Sequence, residues 1–69
     1  MEINYDKEAD ALYIELREGE FSYNKKINPY TIVDFDKQNN ILGIEIIMVS
    51  KTLPKNALKN VHVKNLAIA

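Results

Sequence analysis

Residues 11–17 read Ala11-Leu12-Tyr13-Ile14-Glu15-Leu16-Arg17, and their period is two. Leu12, Ile14 and Leu16 fall on one side, while Tyr13, Glu15 and Arg17 fall on the other. Successive side chains of a strand point to opposite faces, so this alternation describes a β-strand with one buried face. Upstream, Ile3-Asn4-Tyr5 repeats the pattern in brief. Between them Asp6-Lys7-Glu8-Ala9-Asp10 supplies a turn, because Asp side chains bond nearby backbone N–H groups. The first two strands therefore form a hairpin. Downstream, Gly19 between Glu18 and Glu20 marks the next reversal, and Phe21 to Ile27 reads as a more polar edge strand. Lys25 and Lys26 would discourage edge-to-edge pairing there. Asn28-Pro29 ends it, since Pro has no N–H for a ladder.

A second strong alternation sets Thr31, Val33 and Phe35 against Ile32, Asp34 and Asp36. Lys37-Gln38-Asn39-Asn40 then predicts a β-turn, because Asn tolerates the left-handed conformation a hairpin needs. The most apolar segment follows, from Ile41 to Val49. Leu42, Ile44, Ile46 and Met48 occupy one face, and Ile41, Gly43, Glu45, Ile47 and Val49 the other. Its second face is also largely apolar, so Ile47, Val49 and Ile32 need cover from the C-terminal segment or another subunit. In that segment Ser50 or Thr52 is positioned to cap a short helix through Lys55-Asn56-Ala57-Leu58-Lys59, with Pro54 in its first turn and Asn60 as its stop. Val61-His62-Val63-Lys64 alternates again, and Leu66-Ala67-Ile68 either continues as a strand or trails as an apolar tail. The fold class expected is α+β, mainly β: one domain over residues 1–69, a small antiparallel β-meander of four to five strands, a short C-terminal helical segment and room for a further C-terminal strand.

Composition narrows the function classes. Sixty-nine residues without Cys and with one His, His62, provide no disulfide, no thiolate metal site and no multi-histidine zinc site. A chain this short buries only about 60% of the surface it exposes when unfolded, so its core is marginal. At 46% apolar and 28% charged it belongs with globular domains. The net charge of −1 argues against a nucleic-acid or anionic-membrane surface. That sum conceals an asymmetry: residues 1–20 carry seven acids and two bases, and residues 46–69 carry four lysines and no acid. Such halves pair within the fold or between subunits. The N-terminus lacks the basic and apolar regions of a signal peptide, and no apolar run approaches the roughly 18 residues of a spanning helix. The expected compartment is the cytoplasm.

Tyr5-Asp6-x-Glu8-Ala9-Asp10-Ala11-Leu12-Tyr13-Ile14, then Val33-Asp34-x-Asp36, then Ile41-Leu42-Gly43-Ile44-Glu45-Ile46 resembles a family of short prokaryotic domains of unknown function. Their pattern reads Y-D-x-E-A-D-A-L-Y-I, V-D-x-D and I-x-G-I-E-I. The resemblance covers residues 3 to 53. It implies an antiparallel sheet with a short C-terminal helical segment and no particular activity. Some members are encoded beside small toxin-like proteins, which implies at most a partner-binding role. The chain departs from the pattern at Asn39, where many relatives carry Gly, and in its longer tail, Val61 to Ala69.

Two acidic turns are the candidates for chemistry. Asp6, Glu8 and Asp10 alternate in one loop, where a divalent cation would find oxygens. From Asp34, the run D-F-D-K-Q-N-N-I-L-G-I-E places Asp34, Asp36 and Glu45 at positions one, three and twelve of an EF-hand-like loop. However, position six is Asn39 rather than Gly and the flanks alternate like strands. Ser22, Ser50 and His62 have no spacing that predicts a triad, and Gly19 and Gly43 are too isolated for a phosphate loop. Tyr5, Tyr13, Tyr23 and Tyr30 suit packing or an interface better than base stacking beside so many acids. The favoured reading is a self-associating interaction module, a homo-oligomer with the dimer first, or a partner of another small protein. Tyr13, Ile47 and Val49 are the interface candidates. No catalytic residue, cofactor or metal is assigned, and neither nucleic acid nor membrane is expected as a partner. The alternative is a cation-binding protein or small enzyme built on the acidic turns, which requires those turns to converge.

Overall fold

The computed structural model describes residues 1–54 and 56–59. It contains five strands, β1 (Glu2–Asp6), β2 (Ala11–Glu15), β3 (Tyr23–Asn28), β4 (Thr31–Phe35) and β5 (Ile41–Ile47), then a short helix α1 (Val49–Thr52) and a 3-10 turn at Ala57–Lys59. The strands form one antiparallel sheet in the order β1-β2-β5-β4-β3. This is the expected mainly β domain with a short helical segment: hairpins join β1 to β2, β3 to β4 and β4 to β5, while the β2–β3 connection carries the chain to the far edge. The most apolar strand, β5, lies in the middle between β2 and β4, where both its edges are hydrogen-bonded. Asn60, the alternating Val61-His62-Val63-Lys64 and the stretch Leu66-Ala67-Ile68 lie outside the described residues.

The register sorts side chains onto two faces. Ile3, Ile14, Ile44 and Val33 form one row across four strands, and Tyr5, Leu12, Ile46 and Thr31 form the next. This first face is apolar apart from Lys25, which pairs with Val33 at the β3 end of the first row. On the second face Glu2, Glu15, Gly43, Asp34 and Asn24 share a row, and Asn4, Tyr13, Glu45, Ile32 and Lys26 share its neighbour. A break in register between Asp34 and Phe35 lets Leu42 stand as an extra residue in β5, as in a β-bulge. Leu42 is only 5% exposed, and a β-carbon at Gly19 would lie 2.6 Å from its Cδ2. The β2–β3 loop thus passes directly over it.

Each turn has a local cause. The Asp6 carboxylate accepts from the N–H groups of Glu8 and Ala9 at 3.0 and 3.1 Å. Asp36 accepts from the N–H groups of Gln38 and Asn40, both at 2.9 Å, and from the Asn40 amide at 3.0 Å. Asn39 takes the left-handed conformation (φ 67°) that the sequence predicts for this hairpin. At the β3–β4 turn Asn28 accepts from the N–H of Tyr30 at 2.9 Å.

The end of β5 differs from the sequence reading. The strand stops at Ile47, two residues short of Val49, because Met48 turns left-handed (φ 53°, ψ 46°). The chain then enters α1 at once. Leu53 is extended (φ −113°, ψ 152°), as residues before proline tend to be, and Pro54 removes a helical donor. The helix therefore precedes Pro54 instead of running from it through Lys59, and Ser50 lies inside it. What remains at 57–59 is the 3-10 turn.

Candidate functional site

The acidic turns do not converge. Ala11, which follows the first turn, pairs with Ile47 at the end of β5, whereas Phe35, just before the second, pairs with Ile41 at its start. The six steps of strand from Ile41 to Ile47, at roughly 3.3 Å each, put about 20 Å between the two turns. Their carboxylates are also occupied: Asp6 and Asp36 each hold backbone N–H groups of their own turns. Among the described residues no group of three acidic, histidine or cysteine side chains is arranged to hold a metal ion. The geometry required by the cation-binding and enzymatic alternative is absent there.

Asp10 has a role that its neighbours in sequence do not announce. It adopts φ 51°, and its carboxylate faces the start of α1. Ser50 N–H lies 3.1 and 3.3 Å from its two oxygens, and Ser50 Oγ donates to Oδ2 at 2.6 Å. The N–H of Val49 donates to the Asp10 carbonyl at 3.0 Å. Helix N-termini leave N–H groups without intrahelical partners. The residue at the N-cap position, Met48, offers no side-chain acceptor, and Asp10 supplies one from forty residues away. Tyr5 Oη completes the group, donating to Oδ1 at 3.1 Å. The hydrogen bond from the Ser50 side chain, then its N–H, the Tyr5 hydroxyl and the charge of Lys51 hold the Asp10 carboxyl below its usual range against the opposing effect of desolvation. Partial burial and the adjoining Asp10 raise Tyr5. A carboxylate so stabilised is a weak general base near neutral pH, which makes the Ser50–Asp10 pair a clasp.

On the second face Tyr13 lies over Gly43. A β-carbon at Gly43 would collide with the Tyr13 hydroxyl and lie 2.8 Å from the carbonyl oxygen of Ile14. The isolated glycine within an apolar strand is therefore a seat for an aromatic ring, a meaning that glycine in a strand interior often has. Burial first, then the charge and hydrogen bond of Asp34 and the charges of Glu15 and Glu45, raise the Tyr13 pKa. Acids on three adjacent strands thus surround one tyrosine ring.

The three interface candidates are placed unequally. Tyr13 and Ile47 lie half-buried on the second face. Val49 is 3% exposed within the single chain, so it leaves almost no surface for a partner. The larger apolar surface is the first face: Ile14, Ile44 and Ile46 are only half-buried, and Ile3 and Tyr5 remain 42% and 44% exposed. Between Tyr5 and the segment after β5, an apolar hollow of about 560 Å³ is lined by Val49, Leu53, Pro54 and Leu58. No helix among the described residues is long and apolar enough to cross a membrane.

A family model described as protein of unknown function (DUF2283) matches residues 2–50. No curated protein and no solved structure matches the chain.

Proposed function

For a chain that belongs to the DUF2283 family of proteins of unknown function, we propose a role as a self-associating protein-interaction module that pairs two copies through the first face of the sheet. The observation that carries this reading is the thinness of the core. Leu12, Val33, Leu42 and Val49 are the buried apolar residues, and no large side chain among those described is fully buried. A sheet with one apolar face is stable when a second layer covers that face. Among the described residues α1 and the β2–β3 loop cover only its margins. The molecule is a slab of 36 × 32 × 19 Å. Its broad side, 36 × 32 Å, has room for the roughly 800 Å² per partner of a standard interface.

A second copy is the simplest layer, since a two-fold axis closes the assembly and sets two apolar faces about 10 Å apart. The second face is a poorer seat. Although it presents Tyr13 and Ile47, pairing it with itself would crowd Glu15, Asp34 and Glu45 of both copies together, and like charges in contact are unfavourable.

Sedimentation velocity at micromolar concentration tests the reading. The expected mass is twice the 8.0 kDa of the chain. Ile3→Glu, at an exposed position on the first face, is expected to shift the population to monomer with the sheet's circular dichroism unchanged. A strictly monomeric wild-type protein overturns the proposal.

A further inference from the structure

The two edges of the sheet are guarded differently. An edge strand offers unpaired N–H and C=O groups to any passing strand, and proteins commonly defend such edges with lysines, prolines or irregular register. The β3 edge has two of these defences: Lys25 and Lys26 lie in mid-strand, and the register breaks between Lys26 and Asn28. The β1 edge has neither. Glu-Ile-Asn-Tyr-Asp (Glu2–Asp6) pairs with β2 in unbroken register, all five residues are exposed, and no described strand lies on its outer side. We infer that the outer edge of β1 is a docking edge for an extended segment of a partner protein in which apolar residues alternate with lysine or arginine.

The register dictates that chemistry. In an antiparallel ladder alternate residues turn both N–H and C=O outward, so an added strand acquires its main-chain hydrogen bonds from any sequence, and its side chains decide specificity. One side of the incoming strand would lie beside Ile3 and Tyr5, in the rows continued by Ile14 and Leu12, where apolar residues fit. The other side would lie beside Glu2, Asn4 and Asp6, in rows continued by Glu15, Tyr13 and Glu45, where cations fit. A second copy of β1 is a poor occupant: antiparallel pairing centred on Asn4 sets Glu2 of each copy against Asp6 of the other, and like charges directly opposite are destabilising. The inference is separate from self-association through the first face.

The test uses the full chain and an end-capped heptapeptide alternating lysine and valine, with hydrogen exchange as the readout. Bound peptide is expected to slow exchange within residues 2–6 and not within residues 23–28. Affinity is expected to fall with added salt and by about thirtyfold in the Glu2→Lys, Asn4→Lys variant, whose charge rises by three units at close to half a decade each at such a surface. Lys25→Glu with Lys26→Glu is expected to leave binding unchanged. A peptide N-methylated at alternate residues, which cannot complete the ladder, is expected to lose binding. Protection at 23–28 instead, no protection at about millimolar peptide, or equal binding of the N-methylated peptide overturns the proposal. Sedimentation of the same samples keeps the two readings apart: a monomer protected at β1 overturns only self-association, and a dimer without that protection overturns only the docking edge.

Discussion

Ser50 Oγ donates to Asp10 Oδ2 at 2.6 Å, joining the first hairpin to the helix that follows the last strand. That contact, the Ser50 N–H and the Tyr5 hydroxyl all converge on one carboxylate. The segment after β5 is thereby tied to the edge of the sheet it passes.

Asp10→Asn keeps a side chain that tolerates positive φ but removes the charge and one of the two acceptor oxygens, whereas Ser50→Ala removes the hydroxyl donor alone. Both are expected to lower the melting temperature and to speed amide exchange several-fold across residues 49–53. β3 and β4, on the far side of β5, should keep wild-type exchange. Uniform loss of protection over the whole sheet would show that the clasp is not a local device.

Acid should release the same clasp. The Asp10 carboxyl is held down first by the Ser50 hydroxyl, and that of Asp36 first by the Asn40 side chain. A carboxyl whose folded-state pKa is depressed stabilises the fold above its unfolded value, near 3.9, and that contribution disappears as pH falls through the folded value. Melting temperature is therefore expected to be level with respect to these two groups from neutral pH to about 5 and to fall below about 4. The Asp10→Asn, Asp36→Asn double variant should show a shallower acid limb in a pH series of thermal melts.

Gly43→Ala is expected to destabilise by about 1–3 kcal/mol, the usual cost of forcing atoms into an occupied site. The Tyr13 ring can swing away, but the Ile14 carbonyl belongs to the adjacent strand and cannot. In a Tyr13→Ala background the same change should cost roughly 1 kcal/mol less, the coupling expected of residues in contact. Urea denaturation of the four proteins gives the cycle directly.

Met48 is a non-glycine residue at φ 53°, a conformation that costs an L-residue about 1–2 kcal/mol. Met48→Gly relieves that strain and gives back part of the gain as unfolded-state entropy, so a net stabilisation of about 0.5 kcal/mol is expected. Met48→Val, branched at the crowded carbon, should lose at least about 1 kcal/mol. Equal stability of all three would mean that the left-handed turn is not maintained in solution.

Asp6 and Asp36 already hold backbone N–H groups of their own turns, and Asp10 holds Ser50. Millimolar Ca²⁺ is accordingly expected to leave the melting temperature unchanged, since only a ligand selective for the native state raises it. An upward shift abolished by Asp36→Asn would restore the cation reading.

The residues that are legible in sequence are those whose signals are local. The alternation in Leu12-Tyr13-Ile14 and in Thr31-Ile32-Val33 marks strands because side chains alternate whatever the neighbouring strand is. Asp6 and Asn39 mark turns because their effects reach only a few residues. The candidate site is less legible. Asp10 reads as one more turn residue, and its partner Ser50 as a helix cap, until the two meet. Gly43 carries a readable signal, an isolated glycine in a strand, but the ring above it belongs to another strand. Val49 reads as the outward end of β5 because periodicity continues through Met48, where the backbone does not.

Pattern and turn chemistry alone determine that this chain is an antiparallel β domain with its reversals at Asp6–Asp10, near Gly19, at Asn28-Pro29 and at Lys37–Asn40. Folding in three dimensions decided the rest: that β5 enters between β2 and β4, that the acidic turns stand at opposite ends, and that Asp10 captures α1. The reason is one of range. Periodicity and turn propensity are set by bonds and side chains a few residues apart, whereas strand order and cross-chain capping depend on which distant surfaces lower the free energy most when brought together.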